Sequence, residues 1–415
     1  MADHPHLRSK VIFITLLCTL SSTCLFSFSC NRDKENSLSS VVDQPVDEKQ
    51  EIELKKTALV GQKERSKKKL YKFFQELMGT QFNIDLYAYD KQIALSSARA
   101  AFNEIRRIEF QVSTWKPKSE LGRLNLSAGQ KPVDVSYQTA WLLCKSKKIS
   151  SITRGAFDIT WASLKGLWDF KKRHIPNYQV LKSRLTLVGN EYLTLEIKDA
   201  NGVKKNCTDL SSNSPHPAWT KFYSLSPEKW KWKYRAFITQ KDTQIDLGGI
   251  AKGFAVDQAS RVLKRLGFSD FIIDGGGDLY VEGRQLDHHP WSVGIRHPRV
   301  DKIWTRLWVP SGWSVVTSGD YERFFYEGST RYHHIIDLRT GFPAQGSVST
   351  TVIARQALLA DALATAIFIL GPREGIALAD SLSGVEALCF APTGEVYTSQ
   401  GAHIFGPSLP SYWRQ

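Results

Sequence analysis

The chain has 415 residues, with 55 Lys and Arg against 41 Asp and Glu, which gives a formal net charge of +14. Apolar residues make up 42% and charged residues 23%, proportions typical of a globular protein. Because there is one long apolar run, a polytopic membrane protein is excluded, and the low density of the six Cys excludes a small disulfide-stapled scaffold.

The N-terminus has the pattern of an export signal. A short basic region precedes the apolar stretch 11–29, and Cys30 follows it directly. A small residue before a Cys is typical of a bacterial lipobox, so we predict a signal peptide over 1–29 and a lipidated Cys30. Cys24 is a competing site, and an uncleaved membrane anchor is the alternative. We therefore expect a protein anchored by lipid to the bacterial inner (cytoplasmic) membrane, facing the periplasm, where conditions are oxidising.

Residues 30–69 are polar and end in a strongly basic segment without a sustained apolar period. This composition predicts a tether. The basic end is interpreted as a solvated linker, with attraction to anionic lipid head groups as the alternative. Much of the net positive charge lies in this segment and no nucleic-acid-binding module accompanies it, so we expect no nucleic-acid partner.

Strands and helices mix without regular alternation in the body of the chain, which favours an α+β fold over a doubly wound sheet. Apolar residues at helical spacing predict helices over 93–110, 137–152, 255–266 and 358–370. A short apolar element at 72–78 precedes a set of predicted strands at 83–89, 271–273, 291–295, 304–309, 314–316, 349–354 and 384–390.

Residues 199–235 are rich in Ser, Pro, Lys and Trp and are interpreted as a surface insertion. Within them, Trp230, Trp232 and Tyr234 alternate with lysines. This alternation favours an edge strand with one buried aromatic face, and a patch for a partner or a membrane interface is the alternative.

Three cysteines, Cys144, Cys207 and Cys389, remain beyond the predicted signal and the predicted lipidated Cys30. Their odd number and the absence of a CxxC motif make a cysteine-based zinc site unexpected. Whether any two of them pair is open.

Several common signatures are missing from the sequence. It contains no GxxxxGK[ST] phosphate loop, no HExxH and no GxSxG, and the glycines at 275–277 lack the GxGxxG spacing. The common nucleotide-binding and hydrolase folds are therefore not supported.

Asp361 lies in the apolar segment ALLADALATAIFIL, where an ionised carboxylate is costly unless a cation compensates it. Thr365 follows four residues later, so both oxygens lie on one helix face. Hard cations such as Mg²⁺ take oxygen ligands, which makes this pair a candidate metal site. The alternative is a carboxylate paired with Lys or Arg and a Thr bonded to its own backbone.

The segment QIDLGGIAKGFAVDQA combines Asp246, a glycine pair and Lys252 at a predicted helix start. Free N–H groups, a Lys and small residues suit an anionic ligand. A tight strand-to-helix turn explains the same residues.

Further along, His333 and His334 precede Asp337. A His can carry protons near neutral pH, although neighbouring His residues usually comprise one buried and one exposed ring.

The ordered set of these segments resembles the ApbE-like FAD:protein FMN transferases, formerly called thiamine biosynthesis lipoproteins. The resemblance covers residues 71–407 and is carried, in chain order, by MGT (78–80), SELGRLN (119–125), GAFDIT (155–160), GLWDF (166–170), DLGGIAKG (246–253), DGGGDLYVEG (274–283), TSGDYERFF (317–325), HIIDLRTGFP (334–343) and ADALATA (360–366). It implies one large catalytic domain over 70–407, with a short tail at 408–415. Leu338 stands where the family usually has Pro, and the 199–235 insertion is not typical of it.

The resemblance implies an enzyme that binds FAD together with Mg²⁺. It transfers the FMN half, through a phosphoester bond, to a Thr or Ser hydroxyl of another protein, and AMP leaves. The implied metal ligands are Asp361, Thr365 and the main-chain carbonyl of Gly249. The implied FAD contacts come from Met78, Ala156, Phe157, Asp158, Asp246, Lys252 and Ile335.

Our hypothesis for the chemistry is that His334 activates the acceptor hydroxyl, with Asp246 as the competing base. The resemblance suggests acceptors among the flavoprotein subunits of membrane redox complexes, such as sodium-pumping NADH:quinone reductases. Two alternatives keep the fold: an FAD pyrophosphatase that releases FMN and AMP, and a non-catalytic periplasmic FAD-binding lipoprotein.

Overall fold

The computed structural model describes residues 67–198, 202, 204–205, 207, 232–286 and 288–406. The predicted signal peptide, the lipidated Cys30 and nearly all of the predicted tether lie outside the described residues, as does the predicted tail. The first strand begins at Lys69, one residue before the predicted start of the domain. None of the helices in the described ranges is long and apolar enough to cross a membrane.

The helices and strands of the described residues follow one another in a mixed order. The helices are α1 (Lys91–Val112), α2 (Glu120–Leu126), α3 (Tyr137–Ile152), α4 (Tyr178–Leu185), α5 (Ala251–Arg265), α6 (Ala357–Leu370) and α7 (Pro372–Ser381). The strands are β1 (Lys69–Leu77), β2 (Thr80–Ala88), β3 (Val133–Asp134), β4 (Leu193–Lys198), β5 (Lys204–Lys205), β6 (Lys233–Ile238), β7 (Phe271–Gly275), β8 (Asp278–Glu282), β9 (Trp291–Arg296), β10 (Ile303–Val309), β11 (Trp313–Gly319), β12 (Phe324–Glu327), β13 (Thr330–His333), β14 (Ser349–Ala354), β15 (Val385–Phe390) and β16 (Val396–Thr398).

One antiparallel sheet carries the fold, with strands in the order β1-β2-β7-β8-β11-β14-β15-β16. The helices α1, α5 and α6 pack on one face and bury the main core against it. The two-stranded sheet of β9 and β10 covers part of the other face, where its aromatic and aliphatic residues form a second core with β8, β11 and β14. The predicted α+β class is confirmed.

Helices α5 and α6 cap one another. The residue before each helix makes no side-chain cap. Instead, the Asp257 carboxylate of α5 accepts hydrogen bonds from the N–H groups of Ala357 and Leu358, at 2.9 and 3.1 Å. In return, the Asp361 carboxylate of α6 accepts from the Gly253 N–H at 3.1 Å. A Cβ on Gly253 would collide with the Ala357 carbonyl oxygen, so the close approach requires glycine.

The predicted elements are largely confirmed, with small shifts at their ends. The helix at 137–152 and the strand at 349–354 have the predicted bounds. The apolar element at 72–78 is the nine-residue strand β1. β12, β13 and α4 were not predicted, because these short elements bury only one residue each and show no clear apolar period.

The aromatic alternation near residue 234 does form a strand, but the predicted edge position is wrong. β6 pairs with β3 on one side and with β4 on the other, so it lies inside a small sheet. The Tyr234 ring is buried against that of Tyr137, with ring centroids 5.5 Å apart. Trp232 packs partly buried on the main core, and Trp230 lies outside the described residues.

A disulfide joins α3 to the insertion. It links Cys144 to Cys207, which are 63 positions apart in sequence and have their Cα atoms 5.3 Å apart. Cys389 is a buried free thiol in β15, and burial raises its pKa. The pairing left open by the sequence is therefore between the first two cysteines.

We expect reduction of the Cys144–Cys207 disulfide to destabilise the fold. Closing a loop of this length restricts the unfolded chain, an effect worth at most about 4 kcal/mol. Urea unfolding with and without reductant measures the loss. The matched control is the double variant Cys144→Ser/Cys207→Ser, which should not respond to reductant because Cys389 has no disulfide partner. Equal stability of the wild-type chain in both conditions would contradict the prediction.

Candidate active site

The turn before α5 meets the middle of α6. The Asp361 side chain is buried, and its Oδ1 lies 3.5 Å from Lys252 Nζ. A Cβ placed on Gly249 would lie 3.8 Å from Thr365 Oγ1, so the glycine turn passes beside this hydroxyl. The structure thus brings together four predicted site residues from two distant segments.

Asp278 joins this cluster, although the sequence pattern gives it no role. Lys252 Nζ lies 2.8 Å from its Oδ2, so two buried carboxyl groups share one ammonium group. Burial, and then the neighbouring Asp361, raises the pKa of Asp278 well above its usual value. Burial acts against the charge of Lys252, but the two carboxylates outweigh it and hold its pKa above the usual value. The site therefore has a surplus of buried acid over base.

Two turns converge on Asp278 from the sheet side. Gly276 and Gly277 adopt φ values of +66° and +96°, which a glycine turn allows, and Asp278 begins the next strand. A Cβ on Gly276 would collide with the Thr80 side chain, so the turn between β1 and β2 lies directly against it. Met78, a predicted FAD contact, lies in that turn at φ +53°. The glycine turn at 276–277 therefore lies between Met78 and the cluster of Asp278, Lys252 and Asp361.

Asp246 is held by donors on both carboxylate oxygens. Its Oδ1 accepts from the Gly248 N–H at 2.6 Å, and its Oδ2 accepts from the Thr114 hydroxyl at 3.1 Å and from Lys165 at 2.5 Å. The Lys165 ammonium also lies 5.4 Å from the centroid of the Trp115 ring, which is 85% exposed. These contacts suit a residue that shapes an anion-binding turn better than one that removes a proton.

The segment predicted to contact FAD at 156–158 lies beside the glycine turn. A Cβ on Gly249 would lie 3.3 Å from the Phe157 ring, and Ala156 and Phe157 are both buried. The Asp158 carboxylate accepts from Ser150, and from the N–H and hydroxyl of Thr160. Both of its oxygens thus accept hydrogen bonds inside the chain, where the Asp158 side chain caps a helical turn.

The two neighbouring histidines differ sharply. His333 Nε2 lies 2.7 Å from the Ala344 carbonyl oxygen, and its Nδ1 accepts from the Ile335 N–H, so both nitrogens are used. His334 has a buried Nδ1 with no hydrogen-bond partner. Burial, together with His333 and Arg323, lowers the pKa of His334 to about 4, which leaves the ring neutral near pH 7.

The histidine segment is anchored to the same helix as the charge cluster. The His333 ring packs edge-on against Phe368 at 5.4 Å between centroids, one turn after Thr365 on α6. Ile335, another predicted contact residue, is buried in the main core together with Phe157. The segment that contains His334 is therefore fixed to α6, the helix that contributes Asp361 to the cluster.

Oxygen donors collect where Gly249 and α6 meet. Thr365 Oγ1 lies 3.5 Å from Ser318 Oγ of β11, and the Asp361 carboxylate lies one turn away on the same helix face. Hydroxyl, carbonyl and carboxylate oxygens are the ligands that Mg²⁺ prefers, and the surplus carboxyl group of the cluster favours an added cation. The residues present thus fit Mg²⁺, although no group of three or more His, Cys, Asp or Glu side chains in the described ranges forms a metal site by itself.

The comparisons with known proteins concern the family and the fold. The model of the ApbE family matches residues 78–389. The FAD:protein FMN transferase of Vibrio cholerae is 28% identical over 80% of this chain and 90% of its own length, and that of Treponema pallidum is 30% identical over 81% and 89%. The crystal structure of the ApbE protein of Thermotoga maritima superimposes with a TM-score of 0.66, at 26% identity, over 81% of this chain and 99% of that one.

The chain therefore belongs to the ApbE family and is an enzyme of that family. The flavin transferase ApbE of Vibrio cholerae has the same fold, with a TM-score of 0.66 over 82% of this chain. The predicted family and its fold are confirmed.

We expect Lys252→Met to destabilise the protein by about 3 kcal/mol at pH 7.5, because it leaves two buried carboxyl groups without a cation. The folded-state pKa of Asp278 is already raised, so the folded state takes up a proton readily as the pH falls. The loss should therefore be smaller at pH 5 than at pH 7.5. Urea unfolding at both pH values measures it.

Lys264→Met is the matched control for Lys252→Met. Lys264 lies on the same helix and pairs with Glu282 at 3.0 Å, but it is more exposed. Its loss should cost less than about 1 kcal/mol, with little pH dependence. Equal losses in the two variants would show that the buried cluster is no more sensitive than a surface ion pair.

Proposed function

We propose that the chain catalyses Mg²⁺-dependent transfer of the FMN half of FAD to a Thr or Ser hydroxyl of an acceptor protein, with release of AMP. The observation that carries the proposal is the meeting of Asp361 and Thr365 with the 246–253 glycine turn. Its relatives' names describe the same transfer for those proteins.

The charge distribution suits a dinucleotide substrate. The pyrophosphate of FAD is anionic, and attack at phosphorus requires that this charge be neutralised. Lys252 balances only one of the two buried carboxylates beside the glycine turn, so an added cation would serve both the cluster and the pyrophosphate. Asp361, Thr365 and the Gly249 carbonyl would hold Mg²⁺, which polarises the phosphate oxygens and stabilises the leaving group.

The acceptor hydroxyl needs a base. His334 is neutral near pH 7 and is the base that we propose for the hydroxyl proton. The hydroxyl oxygen forms the new bond to the FMN phosphorus, the bond from that phosphorus to the bridging oxygen breaks, and AMP leaves with the electron pair. Asp246, whose oxygens are both occupied, shapes the turn instead.

The acceptors we propose are flavoprotein subunits of membrane redox complexes, such as a sodium-pumping NADH:quinone reductase. A lipid anchor at Cys30 would hold the enzyme on the periplasmic face of the inner membrane. The Cys144–Cys207 disulfide supports an oxidising compartment. Mass spectrometry of the mature N-terminal peptide, and of candidate acceptors after co-expression, tests both statements.

We expect Asp361→Asn to lower FMN transfer by on the order of 100-fold, since it removes the charged metal ligand while keeping an acceptor for the Gly253 N–H. Covalent FMN on the acceptor and released AMP are measured across a Mg²⁺ titration. Asp380→Asn is the control, because that helical carboxylate also accepts a backbone N–H, at 2.8 Å from Gln400. Full activity of Asp361→Asn in saturating Mg²⁺ would refute the metal assignment, and rapid AMP release without acceptor would favour the pyrophosphatase.

We expect His334→Gln to lower kcat by about 100-fold with little change in FAD affinity, because the base acts on the acceptor hydroxyl. As its pKa is near 4, wild-type activity should show no loss from protonation of His334 between pH 8 and pH 5. Stopped-flow transfer rates and FAD titrations separate the two effects. A weaker FAD complex with unchanged turnover would make His334 a binding residue only.

A further inference from the structure

We infer that Asp257 is a positioning residue of the active site: its carboxylate fixes the start of α6 and thereby the placement of Asp361 and Thr365 against the glycine turn. The inference rests on the proposed function only for the part that Asp361 plays as a metal ligand. The contact itself belongs to the fold, and it can be measured in the chain without metal or FAD.

The geometry gives α6 one side-chain cap, and that cap comes from α5. Each Asp257 oxygen receives one of the first two N–H groups of α6, from Ala357 at 2.9 Å and from Leu358 at 3.1 Å. The residue before α6 supplies no cap of its own. Asp361 lies one turn beyond these N–H groups and Thr365 one turn further, so a movement of the helix start is transmitted directly to both.

The second half of the contact returns the constraint to α5. Asp361 accepts from the Gly253 N–H, which belongs to the first turn of α5 and has no partner within that helix. The two carboxylates thus hold the two helix starts in a fixed mutual position. Exchange of the Gly253 amide proton reports whether Asp361 is in place, independently of catalysis.

Both cations near Asp257 lie on its own helix, and strand β8 contributes a tyrosine. Arg261 and Lys264 lie one and two turns later on α5, and Tyr280 of β8 contacts Lys264 at 2.7 Å. From α6 the carboxylate meets backbone N–H groups. Burial raises the pKa of Asp257 to about 6, against the opposing effect of the two N–H groups and the two cations.

The direction of this pKa shift distinguishes a positioning role of Asp257 from a stabilising one. A folded-state pKa above the ordinary Asp value means that the ionised form is costly to the folded protein, and that protonation between pH 6 and pH 4 removes the cost. Over the same interval α6 loses its anionic cap. Asp257 therefore makes no contribution to acid unfolding.

The test compares Asp257→Asn with wild type by amide hydrogen exchange at pH 7.5, without Mg²⁺ or FAD. An Asn side chain keeps one acceptor oxygen but turns its NH₂ toward the other N–H group. We expect exchange of the Gly253 amide to accelerate about tenfold, from the loss of a cap worth on the order of 1 kcal/mol. Asp90→Ala is the matched control: Asp90 caps α1 through the N–H groups of Gln92 and Ile93, and its loss should leave Gly253 exchange unchanged.

Two further measurements keep the inference falsifiable. Asp257→Ser, which removes both carboxylate oxygens, should speed Gly253 exchange at least as much as Asp257→Asn, and it decides if Asp257→Asn does not fold. The Mg²⁺ concentration for half-maximal transfer should also rise about tenfold in Asp257→Asn, from the same lost cap, and stay constant in Asp90→Ala. Unchanged Gly253 exchange in Asp257→Asn and in Asp257→Ser would overturn the inference. Transfer by wild type without Mg²⁺ would overturn the proposed metal role instead. The positioning role of Asp257 would then be decided by the Gly253 exchange rates alone.

Discussion

The contact between α5 and α6 is the constraint on which the site depends. Helix starts carry N–H groups that must find acceptors, and in these two helices the acceptors are carboxylates of the opposite helix. The arrangement works only at short range, which Gly253 permits because it has no side chain. A packing requirement of the core thus becomes a geometric requirement of the active site, since Asp361 serves both.

The same contact concentrates buried charge. Asp361 and Asp278 come from a helix and a strand far apart in sequence, and Lys252 alone lies between them. A cluster with more acid than base is expensive for the free protein and is relieved by a cation. The divalent cation and the anionic substrate that we propose would therefore compensate one another at this cluster.

The sequence predicted much of this site because its residues stand in motifs with a chemical logic. Asp361 and Thr365 lie at helical spacing, and the glycine pair predicts that the backbone closely approaches another group there. The roles of Asp278 and Asp257 could not be predicted from the sequence. A carboxylate after three glycines or within an amphipathic helix is common, and its partner is known only from the fold. The edge position expected for β6 failed for the same reason: alternation reveals which face is buried, but not how many neighbours a strand has.

Burial also decides between residues that look alike in sequence. His333 and His334 are adjacent, yet one uses both ring nitrogens inside the core and the other keeps one nitrogen free. Asp158, Asp246 and Asp361 were grouped as site carboxylates, and the structure separates them by what their oxygens already accept. Asp158 accepts three hydrogen bonds from its own neighbourhood and Asp246 accepts from a turn, a threonine and a lysine, whereas Asp361 has one backbone N–H and an ammonium at 3.5 Å that it shares with Asp278. The carboxylate with the fewest internal donors is the one with capacity left for a metal ion, and for this reason the chemistry is assigned to the α6 side of the turn.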